Sequence, residues 1–441
     1  MNFLELCQQF IAIDSSRETG NLELVNFAAK LCEDIGLQYE VQTHTSGGVE
    51  NANLVAFNKE LDGPVEVLLS SRIDTENPGL YPLWTKTDNN PFNASIYNDE
   101  LYGVGSSTKL DFLCKLFAIK EFGLENMSKP FILLGTFGEE FKMTGAIKFL
   151  RKNKLSIKRA LVGSPTRLSV AYAGIGIATV EVNLPISKEE VALRKAHDLG
   201  ESTSSQYKIF YNRSENKNNY KITDNPFYEL CEFYKKMPSG VLLLDLDGGK
   251  SVNSPPESAS IELDIQGTLS DPVMSKFVAL IESLVLLEKE FEKYSEEGFL
   301  NKNSSLNLGM IRTNEDHIAL KGCGRFLPTV NEDIYEGWID TLKSTCSKLG
   351  ASFKITDFRK PFSLDSGSNF IKSLDEISSG ELSKLSYSTE ANLFSRFGIE
   401  TVAFGAGEEG AQTNEANEKV LIGDLKKSKE FYKQVLSRFV Q

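Results

Sequence analysis

Three short apolar runs constrain the fold more than any other feature of this chain. Residues 65–69 (VEVLL), 131–134 (FILL) and 160–162 (ALV) read as buried strands. Helical spacing lies between and around them. Leu24, Phe27, Ala28, Leu31 and Ile35 fall on one helical face that stops at Gly36, and Leu113, Leu116 and Phe117 mark a helix over 108–122. Strands that carry no polar alternation and are separated by helices predict a mostly parallel sheet covered on both faces. After Ser169 the pattern changes. Residues 175–183 alternate like a strand, 225–237 read as a helix, and 241–246 and 259–265 as strands. Long helices follow over 272–294 and 332–349, with stripes Phe277, Leu280, Ile281, Leu284 and Ile334, Trp338, Leu342, Cys346. A strand at 401–404, a glycine turn at 405–407 and a closing helix after Asp424 return to the first style. The chain therefore reads as α/β: a sheet domain over 1–170 and 362–441, interrupted by an inserted α+β, ferredoxin-like domain over 171–361.

Composition narrows the function. A formal net charge of -13 argues against nucleic acid or an anionic membrane as partner. No apolar run suits a membrane span, and the start Met1-Asn2-Phe3-Leu4-Glu5 is not a secretory signal. Cysteines at 7, 32, 114, 231, 323 and 346 show no paired spacing, so they read as reduced, buried thiols of a cytoplasmic protein.

Two adjacent carboxylates, Glu139 and Glu140, follow the 131–134 run. The end of a buried strand is where α/β enzymes keep a general base or a metal ligand. Yet the chain has only three histidines, His44, His197 and His317, each read as a surface or loop residue. Gly405-Ala406-Gly407 lacks the surroundings of a phosphate cradle and reads as a tight turn near a substrate.

The motifs together resemble the dinuclear zinc amidohydrolases that include acetylornithine deacetylase, succinyl-diaminopimelate desuccinylase, aminoacylase and carboxypeptidase G. The resemblance rests on S-R-I-D-T, L-Y-G-V-G-S-S-T-K-L-D-F, G-E-E, G-S-P-T, G-G-K-S-V-N-S-P-P, S-T-E-A-N-L-F, and G-A-G followed by T-N-E-A-N-E, in that order. It implies a catalytic domain split by a lid that pairs protomers. It also implies two zinc ions about 3.5 Å apart sharing a water.

Carried over residue by residue, the resemblance keeps Glu139 as the base, Glu140 as a ligand and Asp74 as the residue that orients the first zinc ligand. That first ligand, a histidine in the family, falls on Arg72, which cannot bind zinc. The bridging aspartate falls on Thr108 (or on a gap before Lys109), a further acidic ligand on Ser164, and the last histidine on Asn414. The lid histidine that polarises the substrate carbonyl falls on Asn216. Asn253, Thr389 and Gly407 are the remaining substrate-binding positions, although Asn253 can equally cap its turn. One carboxylate ligand cannot hold two zinc ions. The expectation is therefore a pseudoenzyme with no cofactor, zinc being the family's metal and a weak Mg²⁺ or Ca²⁺ the only other candidate. Its partner would be a small acylated amino acid, a peptide-like ligand or a protein, with a homodimer, or a heterodimer with an active relative, formed through the lid. The alternative is a divergent hydrolase that uses Glu139 as base.

Overall fold

The computed structural model describes residues 2–140, 142–152, 154–197, 205–212, 221–265, 269–378, 380–408 and 415–441. It divides into two compact units, Met1–Gly174 with Phe362–Gln441, and Ile175–Pro361. Asn216 and Asn414 lie outside the described residues.

The first unit is built on a nine-stranded sheet. Its centre runs Phe131–Thr136, Val65–Arg72, Ile157–Gly163, Glu400–Phe404, all parallel. Antiparallel strands extend it on both sides: Gln38–Ser46 and Val49–Phe57 beyond Phe131–Thr136, and Val170–Gly174 with Phe362–Ser363 beyond Glu400–Phe404. Side chains of the central strands feed two cores. Val67, Leu69, Leu133 and Leu161 join the helices Phe3–Ala12, Leu22–Asp34, Leu110–Phe122 and Ile422–Phe439. Leu68, Ile132, Leu134, Ala160 and Val162 join Thr144–Lys152 and Glu390–Arg396 on the other face. Both faces are covered, so the strand sequences show no polar alternation.

The helix Leu110–Phe122 is buried at every position from Leu110 to Ile119. It packs on the sheet and is covered in turn by Phe3–Ala12 and Ile422–Phe439. The single inward stripe Leu113, Leu116, Phe117 is therefore too narrow, since a helix between two layers has no solvent face.

The second unit is a seven-stranded antiparallel sheet in the order Gln206–Tyr211, Ser258–Ile265, Val241–Gly248, Ser305–Thr313, His317–Phe326, Gly176–Pro185, Ser352–Arg359. The helices Val273–Phe291 and Glu332–Lys348 pack on it. Periodicity anticipated three of these strands. The other four alternate weakly or carry glycine. His44, read as a surface or loop residue, is partly exposed in the edge strand Gln38–Ser46 and stacks on Phe137 at 5.6 Å. No described helix is long and apolar enough to cross a membrane.

Candidate active site

The four parallel strands of the first unit end on one edge of the sheet, at Arg72, Thr136, Gly163 and Phe404. The loops that follow carry most of the expected site residues, as the edge beyond the carboxyl ends of parallel strands does in open α/β sheets.

Arg72 is the centre of this edge. It is 5% exposed. Its Nε lies 3.4 Å from Asp74 Oδ1, and its Nη1 lies 3.5 Å from Glu139 Oε2 and 3.1 Å from Glu140 Oε1. Burial alone would lower the guanidinium pKa. Asp74, Glu139, Glu140 and Glu76 outweigh it and raise the pKa instead. Asp74 is fixed from behind, since its Oδ2 accepts the Gly138 N–H at 2.7 Å.

Glu139 meets a fourth carboxylate that sequence reasoning missed. The backbone N–H of Glu390 donates to Glu139 Oε1 at 3.1 Å, across 251 positions of sequence. Glu390 is buried beneath the site, with Oε2 accepting from Ser70 Oγ at 3.1 Å. Burial, then the neighbouring Glu139 charge, pushes its pKa up to about 8, so it holds its proton at neutral pH. The only signal in the sequence was an acidic residue directly after the helix-capping Thr389, where a solvated first-turn acid is the ordinary reading.

Lys109 is fully buried. Its ammonium donates to the carbonyls of Ile11 and Ile13 at 3.4 and 3.2 Å, at the end of the helix Phe3–Ala12. Burial lowers its pKa to about 7 against the opposing pull of Glu418, Asp14 and Asp74. Arg72 is thus a fixed cation beside Asp74, and Lys109 is a basic group near the same carboxylate whose charge is weakened by burial.

A second polar network underlies the strand that carries Arg72. Lys115 Nζ pairs with Asp111 Oδ2 at 2.7 Å and donates to the Ser70 carbonyl at 2.5 Å. Asp111 also accepts from Ser71 Oγ at 2.6 Å and Tyr432 Oη at 2.7 Å. A Cβ on Gly163 would lie 2.0 Å from Asp111 Oδ2, so glycine is needed there. An Asp and a Lys four apart on a helix ordinarily read as a solvated pair.

The remaining candidates fall as follows. Thr108 is buried in the loop before Leu110–Phe122, and its Oγ1 has no hydrogen-bond partner. Ser164 Oγ is bonded to Tyr387 Oη at 2.9 Å. Thr389 is buried and caps the helix Glu390–Arg396, its hydroxyl accepting the Ala391 N–H. Gly407 adopts φ 95° and packs on Ser107 and Pro165. Asn253 is exposed in the second unit and is anchored through its main chain, its carbonyl accepting from Arg325. Asn417 and Glu418 hold loops: Glu418 accepts the N–H groups of Gly105 and Ser107, and Asn417 the N–H of Lys86.

A split α/β unit with convergent carboxylates at its strand ends, interrupted by an antiparallel α+β unit, defines an amidohydrolase or exopeptidase architecture. The model of peptidase family M20/M25/M40 matches residues 68–438, and the chain belongs to that family. It is similar to acetylornithine deacetylase of Aliivibrio fischeri, 31% identical over 156 residues, which is 35% of this chain and 39% of that protein. The chain thus matches about two-fifths of the length of this curated relative. Its fold is similar to an aminoacylhistidine dipeptidase from Vibrio alginolyticus (TM-score 0.63, 14% identity, 99% of this chain and 96% of that one). It is also similar to an M20 family metallo-carboxypeptidase from Sulfolobus solfataricus (TM-score 0.62, 16% identity, 99% and 98%).

Membership corrects one expectation. The absence of a cofactor does not follow from the sequence, because the family includes metallopeptidases, as the Sulfolobus protein's description states. The described residues do not by themselves make up a two-metal centre. Asp74, Glu139 and Glu140 converge on a guanidinium that cannot be a ligand. Among the described residues no three His, Cys, Asp or Glu side chains group to hold an ion.

Proposed function

We propose that this chain is a ligand-binding member of the M20 family in which Arg72 balances the charge of the cleft and the family's hydrolysis is switched off. The ligand is a small acylated amino acid or a peptide-like molecule, in the setting of a cytoplasmic protein. The observation that carries this reading is the ion pairing of one buried arginine with Asp74, Glu139 and Glu140. A hydrolytic base must be free to take a proton from water, and an electrophile must face the carbonyl oxygen. Here the carboxylate at the base position is paired with a cation that does not ligate water. Thr108, Ser164 and Asn414 are, in this reading, former ligand positions. Asn216, Asn253 and Gly407 remain candidates for contact with the ligand.

The test uses the full chain supplied with zinc, N-acetylornithine and a dipeptide panel. The expected result is saturable binding of at least one compound without turnover above buffer. Zinc-dependent turnover by the unmodified protein would overturn the reading.

A divergent hydrolase is the second reading, favoured by the retention of Glu139 at the strand ends beside Glu390. It requires turnover that Glu139→Gln abolishes. The inserted unit is proposed as the lid and dimerisation domain, pairing two copies or one copy and an active relative. The support is its edge strand Gln206–Tyr211, which exposes Tyr207 and Tyr211. Sedimentation of the purified chain, alone and with a relative, tests it.

A further inference from the structure

The core of the second unit is divided. One cluster gathers Leu280, Leu284 and Leu342, another Phe291, Phe326 and Trp338. Residues of both clusters line a cavity of about 60 Å³, open on one side, between the strands Gly176–Pro185 and His317–Phe326 and the helices Val273–Phe291 and Glu332–Lys348.

The gap has a backbone cause. Gly322 pairs with Val180, and Gly324 with Ala178, so two nearby positions of the cavity floor lack a side chain and a third has only a methyl. Gly322 cannot carry a side chain, and one on Gly324 would have to displace its neighbour. A Cβ on Gly322 would lie 2.4 Å from the Asn307 carbonyl, and one on Gly324 would lie 3.1 Å from the Phe326 ring. Overhead, Phe291 and Trp338 stack at 3.9 Å and form a rigid aromatic wall.

The cavity does not suit water. Asn307 and Cys323 are the polar residues of the strand floor, and both donate to the Val252 carbonyl. Asn307 Oδ1 is left as an acceptor without a partner, too little for a buried water, which needs two to four bonds. The half-buried Ile339 and Phe353 continue the apolar lining outward. The space is far too small for a helix or a second copy of the chain.

We propose that this cavity binds a short aliphatic group, the alkyl end of a small amphiphilic ligand. The site is independent of the cleft in the first unit. The probe is n-hexanol, whose terminal carbons would enter the cavity while the rest follows the outward lining of Ile339 and Phe353, and the readout is the fluorescence of Trp338, which with Trp84 makes up the chain's two tryptophans. The expected result is a saturable change in the unmodified chain and a loss of affinity of about tenfold or more in Ala178→Leu, which fills the floor. If that variant fails to fold, Ala178→Val takes its place. No saturable response in the unmodified chain, or an equal response in the filled variant, would overturn the site. The first of these with a higher melting temperature for Ala178→Leu would identify the gap as a packing void only.

Discussion

Arg72→Ala isolates the charge balance of the cleft. Its three ion pairs differ in weight. Asp74 and Glu139 are 7% and 8% exposed, whereas the Glu140 side chain is 49% exposed. Removing one partner of a buried pair costs about 3–5 kcal/mol, because the other charge is left stranded, while an exposed pair is worth about 0–1 kcal/mol. The contacts to Asp74 and Glu139, at 3.4 and 3.5 Å, are ion pairs rather than short hydrogen bonds, which favours the lower end. The expected loss is about 3 kcal/mol at pH 7, roughly a hundredfold in the unfolding equilibrium. Glu140→Ala should lose well under about 1 kcal/mol. Arg72→Met keeps an apolar stem and should lose nearly as much as Arg72→Ala, which separates charge from packing. Urea unfolding followed by circular dichroism, with m-values compared, measures all three. A loss below about 1 kcal/mol at pH 7 would refute the assignment of Arg72 as the counter-charge.

Glu390 holds its proton up to about pH 8 in the fold, against 4.5 for the free group. Its stabilising contribution is therefore complete below pH 4.5 and lost as pH rises through 8; Glu390→Gln should flatten that part of a stability–pH profile. Lys109 behaves oppositely. Its folded pKa of about 7 lies below the free value of 10.5, so it imposes a penalty below pH 7 that is relieved towards pH 10.5. The difference in unfolding free energy between the unmodified chain and Lys109→Met should accordingly move in favour of the unmodified chain as pH rises over that window. Tyr432→Phe removes a 2.7 Å bond to Asp111 and should cost about 1.5–3 kcal/mol in chemical denaturation, with no change in fold by circular dichroism.

Much of the first unit was legible because its signals are local. A run such as 131–134 without polar alternation reports burial on both faces, and this implies a parallel sheet whatever the partners are. The end of that run located Glu139, and the end of 65–69 located Arg72 and Asp74, on what proved to be one edge of the sheet. In the second unit the strand His317–Phe326, with two glycines, gave too little pattern to be read.

Tertiary structure alone decided which charges are paired and which are buried. Glu390 lies beside Glu139 only because the helix it opens packs across the sheet. Lys109 is buried because the helix Phe3–Ala12 ends on it. Asp111 and Lys115 are internal because Ile422–Phe439 brings Tyr432 over them. Periodicity records how much water one segment sees on average. The cost of a buried charge depends on partners hundreds of residues away, and no local pattern encodes those.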